Sequence, residues 1–385
     1  MSTPVRLPLH EFHQNLGANF SALNGAEIVS DFGAPAGEYR ALHESAGVLD
    51  LSFRSRMCLL GADRVRFLHG QVTNDVKKLR VGEGCYAALT TAKGKMQSDL
   101  NIFCLQDELL LDFEPGLAPV VTERLEKYIV ADDVQVVDVM PHYGLLSVQG
   151  PKAEAVVRAV GLSAEVPQPS LSSLKISDAT FGEIYLAIHA RLAGSAGISP
   201  ASSKTATDAA RGQDAGAPKP GFDLFVPLQS LAAVADKLVA AAKSVGGCVC
   251  GWNAFEVVRL EAGIPRFGVD MDETHLASEC GIEARAISYH KGCYIGQEVL
   301  NRIHSVGHVN RELRQLRLGP EAQALPQRGA KLFHDDKEVG AITSAAFSLQ
   351  QGCIVVLGYV HREANMVGTR LSLRSDSGAS QATII

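Results

Sequence analysis

Residues 46–76 read AGVLDLSFRSRMCLLGADRVRFLHGQVTNDV. Asp63 is a residue type that caps helix N-termini, and Val65, Leu68 and Val72 follow at helical spacing. A short amphipathic helix ending near Thr73 is the prediction. Downstream the period changes: residues 100–105 and 109–113 are strand-like, and the Gln106-Asp107-Glu108 break between them suits a hairpin. Leu117, Val121, Leu125 and Tyr128 then share one helical face. VQVVDV, residues 134–139, alternates as a strand, and Gly150-Pro151 precedes another helical run over 153–160. The pattern to this point is mixed α and β.

Between 194 and 220 the text turns to Ala, Ser, Gly, Thr and Pro, with too few large apolar side chains to offset the entropy of ordering. A mobile surface insertion over 195–220 is expected. Structure resumes as a strand at 222–226, then a helix opened by Pro227 and stopped by Gly246-Gly247. A second helix over 253–261 has Asn253 as its expected cap. From Glu312 onward, short alternating segments at 313–318, 330–333, 339–344, 354–360 and 369–373 predict a small all-β barrel or sandwich.

Composition narrows the function classes. Hydrophobic residues at 46% and charged residues at 20% describe ordinary globular domains. The net charge of -6 supplies no general basic field, so no direct nucleic-acid binding is expected. The eight cysteines lack the dense spacing of a disulfide scaffold, which fits reduced thiols in the cytoplasm. No apolar run reaches the roughly 18 residues of a membrane span, and the first residues carry no signal-peptide pattern. Cys248-Val249-Cys250 has no second pair at zinc-finger spacing, and no metal site is expected.

The most informative segment is KGCYIGQEVLNRIH, residues 291–304. Gly292 and Gly296 bracket Cys293, and Val299, Leu300 and Ile303 make a helical face behind it. A thiol just before a helix N-terminus, with Lys291 nearby, would sit in positive potential. The competing reading is a small buried hydrophobe.

KGCYIGQE resembles the signature octapeptide of the YgfZ branch of the glycine-cleavage T-protein superfamily. The likeness runs through most of the chain: residues 46–76 and 125–138 are similar to that superfamily's opening module, RLEAGIPRFGVDMDE at 259–273 to its central segment, and the last 70 or so residues to its C-terminal barrel. It implies an α+β fold, a T-protein-like three-domain ring closed by a C-terminal β-barrel. One α+β module would occupy 1–140, a second 141–310, and the barrel 311–385.

The resemblance also implies a central cavity for tetrahydrofolate or a one-carbon derivative. Glu261 matches the family position of a pterin-binding carboxylate. Arg191, Arg259 and Arg302 are candidates for wall or glutamate-tail contacts, with Gln297 and Glu298 as further binding candidates. The aminomethyltransferases carry adjacent carboxylates in a G-G-x-x-D-D-L pattern, where this chain has Gly94-Lys95-Met96-Gln97-Ser98-Asp99-Leu100. Ser98 replaces the first acid, which counts against transfer chemistry unless Asp99 takes it over. The expected function is a folate-binding accessory protein for iron-sulfur cluster assembly or repair, and through it tRNA modification. Cys293, Asp99 and Lys291 are its candidate reactive residues, and iron-sulfur enzymes or assembly factors its partners. The alternative is a true aminomethyltransferase.

Overall fold

Ser55–Leu60 and Leu109–Phe113 are buried almost throughout, while Met96–Cys104 buries Met96, Ser98, Leu100 and Ile102 on one face and leaves Gln97, Asp99 and Asn101 only partly buried on the other. The computed structural model, which describes residues 3–162, 165–168, 170–192, 221–375 and 378–385, places them inside a five-stranded sheet. Its order is Gly84–Thr90, Met96–Cys104, Leu109–Phe113, Ser55–Leu60, Gln135–Asp138. Helices Arg64–Gln71 and Ala118–Glu126 cover one face, where Leu68, Leu89, Leu100, Ile102 and Leu125 are buried together.

The expected elements are present with local differences. Asp63 precedes its helix but caps nothing with its side chain; the carboxylate accepts the Asp133 backbone N–H at 3.0 Å instead, tying two loops together. Asn253 likewise lies inside its helix, Trp252–Glu261, which begins after Gly251. Glu38 accepts the Gly251 N–H at 2.8 Å and so holds that helix start from a neighbouring helix. Pro227 ends a strand, Gly221–Pro227, and the following helix spans Leu228–Ser244. The insertion expected at 195–220 lies outside the described residues.

The second sheet repeats the strand order of the first. Ser173–Asp178, Gly182–Ile188, Gly221–Pro227, Tyr143–Gln149 and Cys248–Val249 stand where the five strands above stand, with Gly47–Asp50 inserted before the last. That inserted strand comes from the N-terminal part of the chain and pairs with Tyr143–Gln149, so the sheets do not divide at residue 140. Residues 311–384 form a closed six-stranded barrel, with Leu316, Val339, Val356, Val360 and Leu373 among its buried residues. Its last strand, Gly378–Ile384, is one the sequence reading missed.

A buried chain of alternating charges joins the three parts. From the second sheet, Asp223 meets Arg191; Arg191 reaches Asp112 of the first sheet at 2.8 Å; Asp112 and Glu114 hold Arg54 at 2.8 and 2.6 Å. Glu114 continues to Arg266 at 2.8 Å, Arg266 to Glu256 at 2.9 Å, Glu256 to Arg259 at 2.8 Å, and Arg259 to Asp270 at 2.5 Å. Asp270 accepts the hydroxyls of Thr343 and Ser344 from the barrel. Burial works against Asp112, yet Arg191 and Arg54 hold its carboxyl well below the usual range.

Removing one member of such a chain strands its neighbours' charges in a low-dielectric interior. Arg191→Met is therefore expected to destabilise the protein by about 3–5 kcal/mol, read from urea unfolding midpoints at neutral pH. A loss below about 1 kcal/mol would mean that Asp112 and Asp223 find other partners.

Candidate active site

The face of the first sheet turned away from helices Arg64–Gln71 and Ala118–Glu126 carries the chemistry. Strand pairing sets which side chains reach it: Leu89 lies opposite Ser98, and Ala88 opposite Asp99. Leu89 belongs to the helix-covered core and Ala88 to the apolar cluster on the other side. Ser98, 0% exposed, thus turns towards the helices, while Asp99 turns to the face that also carries Tyr86, Asn101 and Asp112. The acid that the sequence lacks would have pointed away from this face.

Tyr86 donates its hydroxyl to Asp99 Oδ2 at 2.8 Å. Asp99 Oδ1 is buried and has no hydrogen-bond partner among the described residues. Burial, and then the negative charge of Glu114, push Asp99 up to about 6, against the stabilising hydrogen bond from Tyr86. Glu114 behaves oppositely: burial opposes its ionisation, but Arg266 and Arg54 hold it down to about 2. Two nearby acids are driven apart, one fixed as a carboxylate and one poised to exchange a proton near neutral pH. Ala88, Met96, Leu260, Phe267 and Met271 form an apolar cluster beside them.

The other expected site residues are dispersed. Glu261 has both oxygens engaged, Oε1 by the Tyr39 hydroxyl at 2.5 Å and Oε2 by His43 Nε2 at 2.7 Å. Tyr39 in turn accepts the Gln350 backbone N–H, so this carboxylate ties two helices to a barrel turn. Arg191 and Arg259, the latter 1% exposed, are members of the ion chain and not wall contacts open to a ligand. Lys291 gives its three ammonium donors to the carbonyls of His69, Val72 and Asn74 at 2.6, 2.7 and 2.8 Å, closing the C-terminal end of helix Arg64–Gln71. Burial draws this lysine down to about 8.

Cys293 is exposed, as are Glu298 and Arg302, while Gln297 is half-buried with its Oε1 on the Tyr294 N–H at 3.3 Å. Helix Gln297–Val306 buries only Leu300 of the expected apolar face. Among the described residues no hydrogen bond links Cys293 to Asp99 or to Glu261. Arg54, Tyr86, Asp112, Glu114 and Arg266 were not anticipated.

Two family models account for most of the sequence: the GCVT N-terminal domain over residues 9–193 and 219–291, and the glycine cleavage T-protein C-terminal barrel domain over 311–385. The chain belongs to the glycine-cleavage T-protein family. An aminomethyltransferase of Corynebacterium jeikeium is 27% identical over 94% of this chain and 91% of its own length. One of Nostoc sp. is 26% identical over 100% and 95%. The crystal structure of glycine cleavage system aminomethyltransferase T from Bartonella henselae superposes with a TM-score of 0.83 at 21% identity, covering 98% of this chain and 96% of that one. That similarity establishes the T-protein fold. No helix among the described residues is long and apolar enough to cross a membrane.

The Asp99 environment has a thermodynamic signature. Its folded-state value, about 6, lies above the ordinary 3.8, so stability from this group is fully present below pH 3.8 and lost as pH rises through 6. Asp99→Asn is expected to be about 1–2 kcal/mol more stable than the parent at pH 7.5, with the advantage gone at pH 4. Urea unfolding at both pH values measures it. A substitution that destabilises equally at both would show that Asp99 is not a strained acid.

Proposed function

We propose that this protein binds a reduced folate, tetrahydrofolate or a one-carbon derivative, against the Asp99 face and handles the one-carbon unit there, as an aminomethyltransferase of glycine-cleavage T type. The observation that carries the reading is Asp99: one oxygen pinned by Tyr86, the other buried without a partner, and the acid poised near neutral pH. A buried orphan acceptor costs free energy unless something meets it. The N–H groups of a pterin or of a folate amine are donors of the right kind, and the apolar cluster with Phe267 and Met271 suits a flat heterocycle.

A bound reduced folate supplies secondary amines able to carry a one-carbon unit. The protein's part is to position it and to move a proton at Asp99 Oδ1, while Glu114, fixed as an anion, keeps Asp99 basic enough to accept one. Ser98 does not count against this chemistry, because its side chain lies on the opposite face. Arg302, exposed, remains available for a glutamate tail. Glu261 acts as a tie between helices in this reading.

Calorimetric titration with tetrahydrofolate, with a coupled assay using an aminomethylated carrier protein, tests the proposal. Asp99→Ala is expected to abolish transfer, whereas Glu261→Ala lowers stability by about 1–3 kcal/mol and leaves folate affinity within about twofold. Absence of tetrahydrofolate binding by the intact chain at high micromolar concentration would falsify it.

A second reading is favoured by the exposure of Cys293 within KGCYIGQE. In it the same folate protein serves iron-sulfur cluster assembly or repair in the cytoplasm, and through it tRNA modification, with client enzymes or assembly factors meeting the surface around Cys293. Cells lacking the protein and complemented with Cys293→Ala are then expected to lose iron-sulfur enzyme activity. Full complementation by that variant removes the thiol's role.

A further inference from the structure

Two thiols outside the candidate site face each other at the edge of the second sheet. Cys248 and Cys250 lie on one side of an extended segment, held to the neighbouring strand by the Cys248 N–H on the Ala46 carbonyl at 3.2 Å and the Cys250 N–H on the Val48 carbonyl at 2.8 Å. Their Sγ atoms are 4.0 Å apart. Cys248 is half-buried and Cys250 is 2% exposed. The facing strand makes room for the buried sulfur with a glycine, since a Cβ on Gly47 would stand 2.6 Å from Cys250 Sγ. The Cys250 thiol has three acceptors in reach: the carbonyls of Glu38 at 3.4 Å and Cys248 at 3.8 Å, and the Cys248 sulfur at 4.0 Å. Once Cys248 ionises, its sulfur is the strongest of the three, and the Cys250 proton turns to it. That donated hydrogen bond draws Cys248 below the ordinary thiol value, against burial and the charge of Glu38, and holds Cys250 as the neutral thiol. Burial instead pushes Cys58, Cys85, Cys104 and Cys280 up.

We propose that Cys248 and Cys250 are a reversible dithiol–disulfide couple that reacts with small hydroperoxides, Cys248 as the attacking sulfur and Cys250 as the resolving one. With hydrogen peroxide, the Cys248 thiolate attacks one oxygen, the O–O bond breaks, and the other oxygen leaves with the electron pair and is protonated to water. Residue 248 is then a sulfenic acid. Cys250 gives up its proton, its sulfur bonds to that of Cys248, and the sulfenic hydroxyl departs as a second water. Two thiols are oxidised and one peroxide is reduced. A disulfide needs Cα atoms within about 4.4–6.8 Å, and two residues of strand span about 6.6 Å, so closure works at the long end of that range while the backbone hydrogen bonds hold the segment extended. A bridge under such strain is readily reduced again. The strain falls on the start of helix Trp252–Glu261, because the Gly251 N–H is bound to Glu38 at 2.8 Å and Gly251 packs against the Ser30 carbonyl too closely for any side chain. That helix carries Glu256 and Arg259 of the ion chain and Leu260 of the apolar cluster beside Asp99, so oxidation loosens a segment on which the candidate site rests. The couple is independent of both the folate and the iron-sulfur readings.

Hydrogen peroxide added stepwise to the intact protein is the probe. Trypsin cuts after Lys243 and Arg259, so one peptide, residues 244–259, holds both cysteines and no other. After alkylation of the remaining thiols, mass spectrometry is expected to show that peptide unalkylated and lighter by two hydrogens at doses that leave most of the exposed Cys293 alkylated. Dithiothreitol is expected to restore both thiols. In Cys250→Ser, and in Cys250→Ala should serine be poorly tolerated at the buried position, dimedone is expected to label residue 248 as the trapped sulfenic acid, whereas in Cys248→Ser residue 250 stays unlabelled. Amide hydrogen exchange over residues 248–255 is expected to rise about tenfold on oxidation of the parent. Survival of the dithiol at doses that oxidise Cys293 overturns the couple, as does a bridge that dithiothreitol leaves closed. Dimedone on residue 250 in place of residue 248 overturns the assigned roles, and unchanged exchange overturns the link to the helix.

Discussion

The pairing of Arg191 with Asp112 and Asp223 is the contact on which the rest of the structure depends, because it brings two sheets with the same strand order face to face. From there the charges alternate without a break to Asp270 and the barrel hydroxyls. Apolar packing alone would let these surfaces slide, being non-directional. Buried ions tolerate only arrangements that satisfy them, so the chain sets register at a cost in desolvation. Asp99 is the acid on this face left half-satisfied, and burial, then the negative charge of Glu114, raise it.

How far could this be read from the residues? The helix–strand alternation and the barrel follow from apolar periodicity, because each element buries one face against a continuous core. The side of the sheet on which Ser98 and Asp99 lie was also implicit, in period-two alternation, but it required the cross-strand register of Leu89 and Ala88 to tell which face held the helices. A clue to the ion chain was in plain view: Asp112 sits in LLLDF and Asp223 in GFDLFVP, charges inside otherwise apolar strands. A charge in a buried strand must be paired. What no spacing rule supplies is the partner, since Arg191 is far from Asp112 in the chain.

Four polar residues show what a local reading leaves out. Lys291, Glu261, Asp63 and Asn253 each bond to a distant segment: three carbonyls at a helix end, a tyrosine and a histidine on another helix, a loop amide, and an aspartate across the fold. A polar side chain at a buried or half-buried position goes where an unmet backbone or carboxylate group lies, and that is a property of tertiary structure. Cys293 is the opposite case. Its glycine neighbours are local features and were legible in the sequence, whereas its exposure is set by the fold.

The strand Gly47–Asp50, lent by the N-terminal part of the chain to the second sheet, governs how the polypeptide can acquire its shape. On the ribosome these residues emerge early and must wait, unpaired, until Tyr143–Gln149 follows them out. Cys248–Val249, which completes that edge, comes later still. Vectorial assembly of one finished half and then the other is closed to this topology. Nascent chains would depend on transient shielding of that edge, and fragments cut between the two sheets would be poor candidates for autonomous folding.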